Sequence, residues 1–195
     1  MTRFFFATAT AAAALALGAC QAEAPDAGNG DLVTNEPVIP IDATKAPQQT
    51  AFTGADGKPL GSVTVTDDVG GLMLAVSATG MPAGKHGIHL HEKGLCEGPK
   101  FESAGSHWNP QSKQHGRDNP AGAHAGDLAN LTVAANGTAT VSIPIAGAMM
   151  SSGTMMLADA DGTALVIHAK PDDYRTDPSG DSGDRIACAV IAPPK

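Results

Sequence analysis

From residue 50 onward, apolar and polar positions alternate in short bursts, separated by Gly, Pro, Asp and Asn. "TAFTGAD", "LGSVTVTDD" and "GLMLAVSATG" are rich in β-branched or apolar residues and read as strands. "HGIHLHE" follows. "DLANLTVAANGTATVSIPI" reads as a hairpin, because Asn136-Gly137 is a strong turn signal between two alternating runs. "ALVIH" and "RIACAVIA" complete about eight strands. No long helix and no internal repeat is evident, and "IAGAMMSSGTMML" (Ile145 to Leu157) is ambiguous and partly loop. The pattern predicts an all-β domain over residues 50–195 with two long loops, roughly Lys93 to Gly126 and "AKPDDYRTDPSGDSGD". Structureless loops beyond about 12–15 residues are usually functional or disordered. Both loops here begin just after a histidine-bearing strand.

The histidines give those loops a reason to be ordered. On a strand, residues two apart share a face. His89 and His91 therefore lie on one side of "HGIHLHE", while Ile88 and Leu90 lie on the other. Alone, such a pair could be two surface histidines on an edge strand. Six of the seven histidines fall between residues 86 and 124, however, and the seventh is His168. In "GSHWNPQSKQHGRDNPAGAHAGDL", His107, His115 and His124 are eight and nine residues apart, with Asp127 three later. Three nitrogens and one oxygen suit a tetrahedral zinc ion closed off by protein ligands. His89, His91 and His168 lie on strands. An imidazole cluster without thiolate or thioether suits a metal such as copper. By alternation His86 faces with Ile88 and Leu90, as a buried supporting histidine and not a ligand.

The chain before the domain is of another kind. "MTRFFFATATAAAALALGAC" has a cationic start, an apolar run and small residues before Cys20, the pattern of a secretory signal over residues 1–19. Leu17 to Cys20 resembles a bacterial lipobox, whose cysteine carries lipid and becomes the mature N-terminus. Residues 20–49, rich in Ala, Pro, Asp and Gly, then form a flexible tether from a membrane. This implies a periplasmic, lipid-anchored protein of a bacterial cell envelope. Cys96 and Cys188 remain, and two leftover cysteines in an exported protein usually pair; two separate buried thiols are the alternative.

The formal net charge is −8, from 12 Lys+Arg against 20 Asp+Glu. A nucleic-acid partner is excluded, since phosphate binding needs a basic face.

At this point the fragments "HGIHLHEKG", "SHWNP", "KQHG", "HAGDL", "VIHAKPDD" and "GDRIACAVI" become decisive together. In their order and spacing they resemble the copper–zinc superoxide dismutase family, across about residues 50 to 192. The resemblance implies an eight-stranded Greek-key β-barrel or sandwich. It implies copper held by His89, His91, His107 and His168, and zinc held by His107, His115, His124 and Asp127, with His107 bridging the two ions. Superoxide would be the substrate, turned into oxygen and hydrogen peroxide by alternation of Cu(II) and Cu(I). Arg185 matches the guanidinium that the family keeps beside copper, and Lys170 and Arg175 are candidates to help steer an anion. Without the resemblance, Arg185 reads as a structural cap near the cysteines. Asp172 matches a carboxylate that links His89 to His115, with Asp173 its close competitor. Asp181 and Asp184 depart from the small or neutral residues of many relatives and lower the local potential. A non-catalytic copper or zinc carrier is the alternative reading; a complete copper set together with Arg185 argues against it. The methionines Met149, Met150, Met155 and Met156 read first as core packing, with a copper-loading patch as the other possibility. Homodimer or monomer is left open.

Overall fold

The structure, a computed structural model, describes residues 47–195. The signal segment, Cys20 and the tether as far as residue 46 lie outside the described residues. Nine strands follow one another: β1 Gln48–Gly54, β2 Pro59–Asp68, β3 Gly71–Ala78, β4 Gly84–His86, β5 Ile88–His91, β6 Leu131–Val133, β7 Ala139–Ala146, β8 Thr163–His168 and β9 Arg185–Ala192. Among the described residues the only helical element is a 3₁₀ turn at Glu102–Ala104. β1 begins two residues before the predicted domain start and already pairs there, Gln48 with Val65.

Seven strands form one antiparallel sheet in the order β5-β8-β9-β1-β2-β3-β7, and β4 pairs with β6 beside it. The neighbours β3/β7 and β1/β9 are far apart in sequence, which is how a Greek-key fold returns a strand by a long connection. The all-β prediction holds. Nine strands appear where eight were predicted because "HGIHLHE" breaks at Gly87. There the backbone leaves the ladder, donating to the Lys170 carbonyl (2.7 Å) and accepting from His168 N–H (2.8 Å). β4 thus goes to β6 and β5 goes to β8.

The predicted hairpin around Asn136-Gly137 is a correction. Its turn is present, closed by Ala134 N–H to the Thr138 carbonyl at 2.8 Å. The flanking strands do not form a ladder with each other, however, because β6 pairs with β4 and β7 pairs with β3. The turn is a corner between two sheets. Local sequence specifies the turn, but the partners are chosen by burial.

Alternation places the core. Ile88 and Leu90 of β5 and Leu165 and Ile167 of β8 point into the main apolar cluster, with Phe52, Val63, Leu74 and Ile191. On the opposite face, Ala164, Val166 and Cys188 form a smaller cluster with Phe101 and Ala104 of the first long loop. That loop is fastened by the Cys96–Cys188 disulfide, with a Cα–Cα distance of 5.6 Å and a sequence separation of 92. Closing so long a loop stabilises the fold by about 4–5 kcal/mol in the chain-entropy view. The predicted pairing is therefore present, and it lays the loop over the face of β5 that carries His89 and His91.

Candidate metal centre

The first loop adds itself to β5 as an irregular extra strand. Trp108 N–H donates to the Leu90 carbonyl (2.8 Å), and Leu90 N–H donates to the Gly126 carbonyl (3.0 Å). His91 then lies opposite His107, and His89 opposite Asp127. Gly126 is required for this approach, since a Cβ there would sit 2.5 Å from the Leu90 carbonyl oxygen. The result is that His89, His91, His107, His115 and His168 are all buried.

Among the described residues three groups have their donor atoms within 4.8 Å of one another: His89, His91, His107 and His168; His107, His115, His124 and Asp127; and His89, His115 and Asp172. In the third the carboxylate already takes a hydrogen bond from each ring, which leaves the first two as donor sets. They are the sets expected from the sequence, and His107 belongs to both.

The tautomers follow from hydrogen bonds to groups that only accept. His91 Nδ1–H donates to the Gly105 carbonyl (2.9 Å), and His168 Nδ1–H donates to the Gly183 carbonyl (3.2 Å). His89 Nε2–H donates to Asp172 Oδ2 (2.8 Å), and His115 Nε2–H donates to Asp172 Oδ1 (3.0 Å). Each ring thereby has one nitrogen occupied and the other left to bind a metal in its unprotonated form. Five buried ring nitrogens have no hydrogen-bond partner in the protein: His89 Nδ1, His91 Nε2, His107 Nε2, His115 Nδ1 and His168 Nε2. A buried polar atom without a partner costs about 1–3 kcal/mol. Five convergent lone pairs are accounted for if they face cations, so the residues present fit two metal ions.

Asp127 organises the second set. Its Oδ1 lies 2.9 Å from His107 Nδ1, 3.1 Å from His124 Nδ1 and 3.1 Å from His115 Nδ1, the last without hydrogen-bond geometry. Its Oδ2 accepts the backbone N–H of Gly116 (2.9 Å) and of His124 (3.0 Å). Burial works against its charge, but the bond from His107 and the close approach of the His115 ring outweigh it and hold the carboxyl far below the usual range. Burial dominates at the other set. It lowers His107 to about 4, against the opposing bond to Asp127, and lowers His168 to about 3. These rings stay neutral, as metal ligands must.

Asp172 joins the two sets. It is buried, with His89 on one oxygen and His115 on the other. Burial is again outweighed, by the bonds from His115 and His89, so the carboxylate stays ionised. Its competitor Asp173 is exposed and caps the turn at Arg175 and Thr176. His86 is not a ligand: its ring nitrogens lie 2.8 Å from the His168 carbonyl and 2.9 Å from the Pro82 carbonyl.

Arg185 pairs with His168 across β8–β9. Its guanidinium donates to the carbonyls of Phe101 (Nη1, 2.7 Å) and Gly105 (Nη2, 2.7 Å). It lines an open cleft of about 450 Å³ with Pro99, Lys100, Glu102 and Asp184. Lys170 lies 3.8 Å from Asp181, both exposed, so its charge is partly offset. Arg175 is exposed.

Sequence reading missed three residues that hold this arrangement. Asn130 grips the main chain of Asp172, accepting its N–H (2.8 Å) and donating to its carbonyl (2.9 Å). Tyr174 accepts the Asn130 N–H on its hydroxyl (2.9 Å) and lies under the Arg117 guanidinium (3.8 Å). Asp177 accepts the His115 N–H at 2.7 Å. Asn130 follows Asp127 of the second donor set by three residues and Tyr174 is the only tyrosine of the chain, but neither fact indicates a partner.

Comparison with known proteins agrees with this geometry. The family model described as Copper/zinc superoxide dismutase (SODC) matches residues 60–191. The superoxide dismutase [Cu-Zn] of Caulobacter vibrioides is 44% identical over 139 residues, covering 70% of this chain and 80% of its own. The superoxide dismutase-like protein YojM of Bacillus subtilis is 38% identical over 174 residues, covering 85% of this chain and 89% of its own. A crystal structure of a SOD-like protein from Bacillus subtilis superposes with a TM-score of 0.72 at 39% identity, covering 75% of this chain and 99% of that one.

Proposed function

The chain belongs to the copper/zinc superoxide dismutase family, which binds copper and zinc, and from that premise we propose that it is an active dismutase with the two metals bridged by His107. The observation that carries this reading is the set of five unpartnered, convergent ring nitrogens, with His107 shared between both sets. His89, His91, His107 and His168 would hold copper; His107, His115, His124 and Asp127 would hold zinc. Copper bound there supplies the one-electron couple that oxidises one superoxide to oxygen and reduces a second to peroxide.

The protein's own residues do the rest. Two superoxide ions and two protons become one oxygen and one peroxide, so protons must be delivered. His107, if used at both nitrogens, would have given up its N–H. Its Nε2, which has no partner in the protein, would take a proton from solvent whenever no metal holds it and could pass that proton to the nascent peroxide. Asp127, whose Oδ1 lies 2.9 Å from His107 Nδ1 in the second donor set, would help keep the ring in place while Nε2 is protonated. Asp172 fixes the orientation of His89 and His115 together, which ties the geometry of one site to that of the other. Arg185 offers its outward N–H groups to an anion arriving through the cleft. A chain of net charge −8 repels superoxide on average, so a local positive spot is required.

A carrier without catalysis is favoured by one observation, that a Bacillus relative is described only as superoxide dismutase-like. Against it, this chain has a histidine at all four positions of the copper set and Arg185 beside them. Superoxide decay measured at matched metal content separates the two readings. Protein with both metals accelerates decay and zinc-only protein does not; equal decay in both overturns the catalytic reading.

We also propose that the protein is periplasmic and lipid-anchored through Cys20 in a bacterial envelope. The apolar N-terminal run and Leu17–Cys20 support this, as does a disulfide suited to an oxidising compartment. Cys20→Ser should leave a folded domain without lipid. Wild-type protein recovered from cells without lipid overturns the anchor.

A further inference from the structure

The four methionines of residues 149–156 separate into two pairs. Met149 N–H donates to the Met155 carbonyl (2.9 Å), and Leu157 N–H donates to the Met149 carbonyl (3.0 Å). Met149 and Met156 are thereby bridge partners in a parallel pairing. Partners in such a pairing lie about 4.8 Å apart with side chains on the same face. Met150 and Met155, next to them in sequence, point to the other face. Burial agrees with this division. Met150 is buried in the main core and Met155 packs against it. Met149 is 42% exposed, Met156 is partly exposed, and neither belongs to the core cluster.

Packing accounts for Met150 and Met155, since an unbranched thioether fills irregular gaps well. It does not account for the outward pair. The segment between them, Ser151-Ser152-Gly153-Thr154, is small and exposed, and Gly153 has a positive φ of 80°. The rim above the two side chains is therefore open. Two thioethers on paired residues of one face are soft donors with no charge. They suit a soft monovalent ion and not a hard divalent one.

We propose that Met149 and Met156 form a second, surface site for one Cu(I) ion, separate from the buried histidine centre. The inward pair is scaffold for it: Met150 and Met155 anchor the segment that presents the outward pair. The site does not depend on whether the histidine centre is catalytic.

The test uses full-length protein loaded with copper and zinc, titrated with Cu(I) without oxygen against the competing chelator bicinchoninate. The methionine methyls carry ¹³C and are followed by NMR. One further Cu(I) per chain is expected, with the Met149 and Met156 methyl signals moving together and those of Met150 and Met155 staying still. Met149→Leu and Met156→Leu, volume-conserving changes, should each weaken uptake tenfold or more, and together abolish it. No further Cu(I) taken from the chelator overturns the proposal. So does undiminished uptake by the double variant, or a shift confined to the inward pair.

Discussion

Arg185 and His91 donate to the same oxygen. The Gly105 carbonyl accepts Nη2 of Arg185 at 2.7 Å and Nδ1 of His91 at 2.9 Å. One backbone group thus sets the tautomer of a candidate copper ligand and the position of the only guanidinium of the cleft. Arg185 has no acidic partner within 4 Å among the described residues, so its charge remains available to an anion. Glu102 and Asp184 line the same cleft, and Glu102 is the carboxylate whose charge acts on Arg185.

Arg185→Glu should lower the second-order rate by about tenfold or more, on the scale of electrostatic steering, with metal content unchanged. Arg185→Lys should lose less, because charge survives without the planar fork. Asp184→Asn should raise the rate at low salt, and the gain should fade as salt screens the cleft. Stopped-flow superoxide decay across ionic strength measures all three. An unchanged rate in metal-replete Arg185→Glu means that Arg185 is structural.

His107→Ala should deplete both metals, because this ring alone belongs to both donor sets. His124→Ala removes a donor from the second set only, so its loss should fall chiefly on zinc. Metal analysis of the two purified variants makes the comparison. Full occupancy of both sites in His107→Ala contradicts the bridge.

Gly180 has a positive φ of 67°, and a Cβ there would lie 1.9 Å from Asp172 Oδ1 and 2.7 Å from His115 Nε2. Gly180→Ala should therefore pry apart the Asp172–His115 hydrogen bond and weaken zinc binding by roughly 10–100-fold, the usual effect of losing a partner behind a metal ligand. Competition against a zinc chelator reads this directly, and wild-type affinity in the variant contradicts it.

Zinc binding should release a proton from His115. Burial opposes its charge, but the Asp127 and Asp172 carboxylates overcome this and raise the metal-free ring to about 9. Zinc takes only the neutral imidazole. Below about pH 9 the proton must leave, so affinity rises with pH, by up to about tenfold per unit, and levels off above 9. His107, at about 4, is already neutral at pH 6 and adds no such release. Calorimetry in buffers of different ionisation enthalpy counts the proton. An affinity independent of pH between 6 and 9 contradicts the argument.

The strands, the His89–His91 pair and the second donor set were legible because they depend on local pattern; that His107 and His168 join His89 and His91 came only from the resemblance to the family. His89 and His91 against Ile88 and Leu90 is a period-two statement, and the structure keeps it. The spacing of His107, His115, His124 and Asp127 needed only a loop that closes on itself. What the pattern did not disclose was long-range choice. Asn136-Gly137 announces a turn, but whether β6 and β7 then pair depends on β3 and β4, 45 residues or more earlier at the nearest register pairs, His86 with Leu131 and Ala78 with Ala139. Asn130, Tyr174 and Asp177 act through backbone groups of Asp172, Asn130 and His115, and a side chain that bonds to backbone leaves no signature in its partner's identity. The break at Gly87 likewise serves Lys170 and His168, at the far end of the domain.

The central claim is turnover, and product stoichiometry tests it most directly. Protein carrying one copper and one zinc per chain is given superoxide in thousandfold excess, and oxygen and hydrogen peroxide are counted. A dismutase yields one of each for every two superoxide ions consumed, far beyond the copper present, at a rate first order in protein. Consumption that stops at about one superoxide per copper, with later decay no faster than without protein, is the behaviour of a carrier and contradicts the account.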